Sequence, residues 1–159
     1  MKKDGLGLLV LVIVFSIMFD QFIKLWVEVA MPLHSRIDLL PFLSLLHTRN
    51  TGIAFSFLSD LGGFWLSVIA IAIVIFISAM ALRTDPKQIL ARIGFALIIG
   101  GAVGNLIDRA MRGHVVDYVY FHTPVWSFAI FNLADAFITV GAGLVILEEF
   151  NGWRRARKA

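Results

Sequence analysis

Apolar residues occupy this chain in four long blocks separated by short polar stretches. The blocks run from about Gly5 to Trp26, from Leu61 to Leu82 without one charge, from about Ile89 to Ile107, and from Val125 to Leu147. A helix needs roughly 20 predominantly apolar residues to cross about 30 Å of hydrocarbon, and each block approaches or reaches that length. The third is the shortest and carries Arg92 near its start. The pattern predicts four membrane-spanning helices. The opening MKKDGLGLLVLVIVFSIMF also fits a secretory signal, with a basic start and a short apolar core. No small-residue cleavage site directly follows it and three more blocks come after, so a retained first helix is expected.

Composition supports a membrane protein: 59% of the residues are hydrophobic, 16% are charged and the mean hydropathy is +0.86. Lysine and arginine cluster at Lys2 and Lys3, at Arg83, Lys87 and Arg92, and in the closing WRRARK. By the positive-inside bias these three clusters face the cytoplasm, with both termini, while loops 27–60 and 108–124 lie outside. Arg36, Arg49, Arg109 and Arg112 sit in those outer loops, so the bias is not absolute. The first outer loop is too long for a simple connection and apolar enough to pack, so it is expected to form a small extracytoplasmic subdomain. Asn50, Thr51 and Gly52 make a plausible turn between two short extended runs, although β-branched residues are too sparse to assign strands. One domain spanning 1–159 is the simplest division.

Against this background the polar residues inside apolar segments stand out, because an ionised group in hydrocarbon is paired, neutralised or placed in a wet functional cavity. Asp135 lies within the fourth block, and Asn132, three residues earlier, shares its helix face. Asp117 ends the second outer loop, before an aromatic connection that allows the chain to double back. If the two carboxylates meet, repulsion and burial raise one pKa and the pair titrates as a unit. One carboxylate then takes a proton from water while its protonated partner stabilises the oxyanion, the chemistry of an aspartic peptidase, which needs no metal and no covalent intermediate. Two other readings stay open on the residues alone: a proton relay in a small transporter, and a scaffold in which these groups only fix helix packing.

Asp20 and Lys24 stand at i and i+4, an expected structural ion pair with Lys24 reaching outward to the interface. In GGAVGNLIDR, Gly100 and Gly104 form a small-xxx-small pattern, and Gly101, Asn105 and Asp108 share a stripe. Asp20, Asn105, Asp108 and Asp135 fall at similar depth, which predicts one shared cavity near the outer surface.

Other chemistries fit poorly. The chain has no cysteine, and His34, His47, His114 and His122 show no HExxH spacing. There is no GxSxG stretch, and the only lysine inside a span, Lys24, has Asp20 as a nearer partner than any serine. GGAVGN lacks the P-loop spacing. The net charge of +3 sits in topology clusters and not in a stripe suited to nucleic acid, so no nucleic-acid partner and no cofactor are expected.

Five ordered blocks, DQFIK (20–24), RNTGIAFSF (49–57), GGAVGNLIDR (100–109), VVDY (115–118) and FNLADAF (131–137), resemble the lipoprotein signal peptidases, or signal peptidase II, along the whole chain. The resemblance implies an all-α membrane protein of four transmembrane helices with a small extracytoplasmic β-like cradle and a short helix. It implies that Asp117 and Asp135 are the catalytic dyad. It further implies that Asn50, Asn105, Asp108, Arg109 and Asn132 line or brace the site, and that Asp20 and Lys24 contribute to stability or activity near it. The implied substrate is a diacylglyceryl-prolipoprotein, cleaved on the amino side of its lipidated cysteine. The implied location is the bacterial inner membrane with the site near its outer face, in contact with membrane lipid, and globomycin and myxovirescin are the implied inhibitors.

Overall fold

A computed structural model describes residues 6–52 and 62–157. The chain order is α1 (Leu6–Ala30), β1 (Arg36–Leu40), β2 (Leu43–Asn50), α2 (Gly62–Arg83), α3 (Ile89–Arg112), β3 (Val115–Phe121) and α4 (Leu133–Ala156). Leu6–Ala30, Phe64–Arg83 and Ile89–Arg112 are long and apolar enough to cross a membrane. The protein is a mostly helical membrane protein in which these three helices are joined by a fourth, α4, and a small antiparallel sheet.

Sequence dictates how the helices meet. In α1 the buried residues Leu9, Ser16, Asp20, Lys24 and Val27 recur every three or four positions or a multiple of that, forming one stripe. The rest of its surface is apolar and exposed, with Leu11, Phe15 and Met18 all at least 60% accessible. So large an exposed apolar surface suits hydrocarbon rather than water. In contrast, α3 buries positions all round, from Ala91 to Asp108, because it packs against α1, α2 and α4 at once.

Glycines set those contacts. A Cβ on Gly94 would lie 2.5 Å from the Gly141 carbonyl, and one on Gly141 would lie 2.5 Å from the Gly94 carbonyl, so α3 and α4 cross with their backbones touching. Gly100 and Gly104 admit Ser16 and Asp20 of α1: a Cβ on either would come within 2.6 Å of those side chains. The small-xxx-small pattern thus seats α3 on α1, and an apolar cluster of Leu9, Ala81, Ala91, Phe95, Ala96 and Ile99 fills the space between α1, α2 and α3.

At the far end the sheet, ordered β1-β2-β3, lies across the bundle. Arg36 pairs with Leu46, Thr48 with Asp117 and Asn50 with Val115. The β2–β3 register shifts between Leu45 and Thr48. His47 falls in that irregularity, is buried, and its Nδ1 lies 2.8 Å from the Met31 carbonyl, a hydrogen bond that ties the sheet to the end of α1. Val27, Met31, Val116 and Tyr118 form the small core beneath it.

Several expected boundaries differ. The third helix continues to Arg112, five residues past Ile107, because Asp108 and Arg112 are neutralised by partners instead of ending the helix, and Gly113 closes it at φ 74°. Asp117 therefore stands on a strand and not in a loop. The fourth helix starts at Leu133, not Val125: Val119 bridges Phe131 and His122 bridges Ser127, so that apolar connection extends the sheet. The turn at Asn50–Gly52 is present, with Gly52 at φ 102° and its N–H donating to Asn50 Oδ1 at 2.8 Å. The second extended run expected after it, and any short helix there, fall outside the described residues.

Candidate active site

The polar residues singled out from the sequence converge where α1, α3, β3 and the start of α4 meet. Asn132 is the hub. It sits at the N-cap of α4 in extended conformation, its Oδ1 accepts from the Asp135 N–H at 3.0 Å, and Asp135 Oδ2 accepts from the Asn132 N–H at 3.3 Å. This reciprocal capping box satisfies backbone donors that the helix itself leaves unpaired. The same asparagine donates through Nδ2 to Asp117 Oδ1 at 2.7 Å. One side chain therefore connects the two aspartates, one on a strand and one in the first turn of a helix.

Each aspartate has a second amide donor: Asn50 Nδ2 reaches Asp117 Oδ2 at 3.0 Å, and Asn105 Nδ2 reaches Asp135 Oδ1 at 2.8 Å. Asp117 is 3% accessible. Burial pushes its carboxyl up to about 6, helped by the neighbouring Asp135 charge and opposed by the hydrogen bonds from Asn50 and Asn132. Burial also raises the Tyr118 hydroxyl, which accepts the Leu133 N–H at 3.2 Å and so serves as a further anchor for the start of α4.

Behind this pair lies a fully buried charge cluster. Lys24 Nζ contacts Asp20 Oδ2 at 2.8 Å, Asp108 Oδ2 at 2.9 Å and Asn105 Oδ1 at 2.8 Å, one acceptor for each ammonium proton. Lys24 has no accessible surface. The expected ion pair with Asp20 is present, but the side chain does not reach outward, because three acceptors inside replace the water it would find outside. Asp20 Oδ1 accepts the Ala134 N–H at 2.9 Å, capping α4 from across the bundle. Asp108 also accepts from Arg112 Nη1 at 2.6 Å, Gln21 Nε2 at 3.0 Å and the Val116 N–H at 3.2 Å. The ladder from Lys24 through Asn105 to Asp135, and from Asn105 through Asn132 to Asp117, leaves few rotamers free.

Of the sequence candidates, Asp117, Asp135, Asn50, Asn105, Asn132, Asp108, Asp20 and Lys24 form one hydrogen-bonded network. Arg109 stands beside it: among the described residues its Nη1 reaches the Asn105 carbonyl, at 3.5 Å, and it lines a cavity of about 510 Å³ with Asn50, Thr51, Phe64, Ile71 and Leu106. Neither aspartate lines that cavity, and Asn50, which donates to Asp117, connects it to the pair. Gln21, Arg112 and Tyr118 were missed. Gln21 adjoins Asp20, and Arg112 lies four residues after Asp108, so adjacency and i, i+4 spacing carried a signal for both; Tyr118 closes the VVDY block beside Asp117, but its bond to the start of α4 had no local signal. Among the described residues no three histidine, aspartate or glutamate side chains are grouped to hold a metal ion.

The network can be set beside known proteins. The family described as Signal peptidase (SPase) II matches residues 12–151. The "Lipoprotein signal peptidase" of Mesorhizobium japonicum is 59% identical over 145 residues, covering 91% of this chain and 86% of that one. The protein of the same name from Brucella ovis is 54% identical over 157 residues, covering 99% and 98%. Among solved structures, a bacterial membrane enzyme determined by the in meso method at 1.9 Å resolution superposes with a TM-score of 0.79 at 31% identity, covering 89% of this chain and 91% of that one. A second, at 2.3 Å resolution, gives 0.74 at 27% identity. With the match running through α1, the sheet and α4 alike, the chain belongs to the signal peptidase II family of membrane peptidases.

Proposed function

We propose that this protein removes signal peptides from diacylglyceryl-modified prolipoproteins, cutting on the amino side of the lipidated cysteine, with Asp117 and Asp135 as the catalytic pair. The observation that carries this reading is the Asn132 bridge, which ties the buried Asp117 carboxylate to the half-buried Asp135 carboxylate at a helix N-terminus. Family membership and the names of the relatives supply the substrate class.

Asp117, the more deeply buried of the two carboxyls, is the member that holds the proton in the reacting state. Asp135, half-buried at the start of α4 and accepting from Asn105 and the Asn132 backbone N–H, acts as the base. Asp135 takes a proton from a water whose oxygen attacks the scissile carbonyl carbon. The Asp117 proton passes to the carbonyl oxygen, giving a neutral tetrahedral diol in place of an oxyanion. As the C–N bond breaks, the cysteine nitrogen takes the proton held by Asp135, and one diol hydroxyl returns its proton to Asp117. The products are the signal-peptide acid and the free amine of the lipidated cysteine.

Asn50, Asn105 and Asn132 position the pair, Asp20, Lys24 and Asp108 brace Asn105 and the start of α4, and Arg109 faces the substrate cavity. The apolar walls of that cavity, Phe64, Ile71 and Leu106, suit lipid-bearing substrate. The chain acts as one domain, 1–159, in the inner membrane with both termini cytoplasmic and the sheet at the outer face, where water and acyl chains are both within reach. Globomycin and myxovirescin act by occupying the dyad. A proton-coupled transporter would space its acids along a path; here they share one asparagine, and the family assignment gives that alternative no support. The test is product mass after incubation with a diacylglyceryl-prolipoprotein: wild type yields a chain beginning at the modified cysteine, and Asp117→Asn and Asp135→Asn yield none. Cleavage elsewhere, or turnover by either variant, contradicts the proposal.

A further inference from the structure

At the end of the bundle opposite the sheet, the basic cluster that served only as a topology signal contains one residue that does not behave like one. A topology arginine normally extends into water or headgroups. Arg92 is instead 7% accessible, its Nε is buried with no hydrogen-bond partner, and among the described residues its guanidinium makes no ion pair. Glu148, the buried carboxylate on α4, pairs with Arg155 at 3.0 Å.

Arg92 is also in an unfavourable place on its helix. It lies in the opening turn of α3, where the macrodipole is positive and a cation is disfavoured. The N-cap residue, Gln88, provides no side-chain cap, and its Oε1 accepts the Asp85 N–H at 3.2 Å. A buried cation without a partner and an uncapped positive helix end therefore coincide. Both penalties become attractions if an anion lies between them.

A cavity of about 220 Å³ opens beside Arg92, lined also by Arg83, Thr84, Asp85, Leu6 and Leu9 among others. Among the described residues its formal charges are two arginines against one aspartate, whose Oδ1 accepts the Lys87 N–H at 2.8 Å. One net positive charge matches a monoanion better than a dianion. On its α1 side the cavity shares Leu6 with an apolar groove formed by Gly7, Val10, Leu11 and Val14. A charged recess that shares a wall residue with an apolar groove suits a phosphodiester headgroup with its acyl chain.

We propose that Arg92 and Arg83 form a binding site for a phosphate monoanion, of the kind carried by an anionic phospholipid, at the end of the protein opposite the candidate active site. The site is independent of the catalytic proposal. It makes Arg92 a ligand-paired residue and gives the α2–α3 connection a lipid contact that fixes its depth in the membrane.

The test uses the full chain in detergent micelles and follows thermal unfolding by tryptophan fluorescence. The probes are dioleoylphosphatidylglycerol, dioleoylglycerol, which lacks phosphate, and inorganic phosphate. Phosphatidylglycerol raises Tm saturably and dioleoylglycerol does not. If inorganic phosphate gives the same saturable rise, the anion alone is the ligand; if only phosphatidylglycerol does, the phosphate must be lipid-borne. Arg92→Gln weakens the apparent affinity at least tenfold, and Arg83→Gln, at an exposed position that tolerates change, weakens it at least threefold. Arg92→Met, which removes the unpartnered charge, melts no lower than wild type without phosphate and below it with phosphate present. No saturable response to either phosphate probe, or a response that Arg83→Gln and Arg92→Gln leave unchanged, overturns the proposal.

Discussion

Asn132 performs two separable tasks, capping α4 and joining the aspartates, and Asn132→Ser divides them. Serine is as good an N-cap as asparagine, since its hydroxyl can accept the Asp135 N–H. It is too short to donate to Asp117 Oδ1, now bonded at 2.7 Å. A hydrogen bond to a buried charged group contributes about 1.5–3 kcal/mol, and 1.36 kcal/mol corresponds to roughly one pKa unit. That bond favours ionised Asp117, so its loss raises the carboxyl from about 6 by about one unit or more. If Asp117 is the proton donor, the alkaline limb of the kcat/KM profile for prolipoprotein cleavage moves up by about one pH unit, while kcat falls at least tenfold as the pair loses its spacing. Asn132→Ala loses the cap as well and melts lower than the serine variant, by an amount corresponding to about 1 kcal/mol. Equal melting of the two variants, or an unshifted limb in the serine variant, would refute the division of labour.

Other predictions follow from the same contacts. Because folding raises the Asp117 pKa from 3.8 to about 6, the folded state holds its proton more tightly. The stability Asp117 contributes is fully present below pH 3.8 and lost as pH rises through about 6, a change of about 3 kcal/mol. Wild type should therefore lose more Tm between pH 4 and 7 than Asp117→Asn, and parallel curves would contradict the burial argument. Lys24→Met leaves Asp20 and Asp108 facing each other without their shared cation and should cost about 3–5 kcal/mol, measured by thermal unfolding; a variant melting like wild type would remove the cluster's bracing role. Gly141→Ala drives a methyl toward the Gly94 carbonyl at 2.5 Å and should lower Tm by several degrees, whereas Gly143→Ala, with nothing within 4 Å, should leave it unchanged.

The parts of this fold visible in sequence were those governed by one strong local term. Hydrocarbon length marked the first three helices, and the cost of a buried charge marked Asp135, Asp20 and Lys24. Gly100 and Gly104 were legible through their small-xxx-small spacing, and Ser16 and Asp20 of α1 sit against them, whereas the Gly94–Gly141 contact joins glycines that no local pattern paired. What was hidden depended on partners distant in sequence. Val125 to Phe131 is as apolar as a span, yet its backbone bonds to β3, for example Phe131 N–H to the Val119 carbonyl at 3.1 Å. No local pattern distinguishes that from the start of a helix. Helix α3 passed its expected end because Asp108 and Arg112 neutralise each other and meet Gln21 and Lys24 from α1. Lys24 was expected to reach outward because only one of its three acceptors, Asp20, is near it in sequence.

The central claim is that two aspartates, acting without a metal, cleave the prolipoprotein. It is tested most directly by incubating purified protein in detergent with a diacylglyceryl-prolipoprotein, with and without a chelator, beside folded Asp135→Asn. The account predicts signal-peptide release that is unaffected by the chelator and absent in the variant. Release that the chelator stops, or that Asp135→Asn sustains at a near-normal rate, would contradict it.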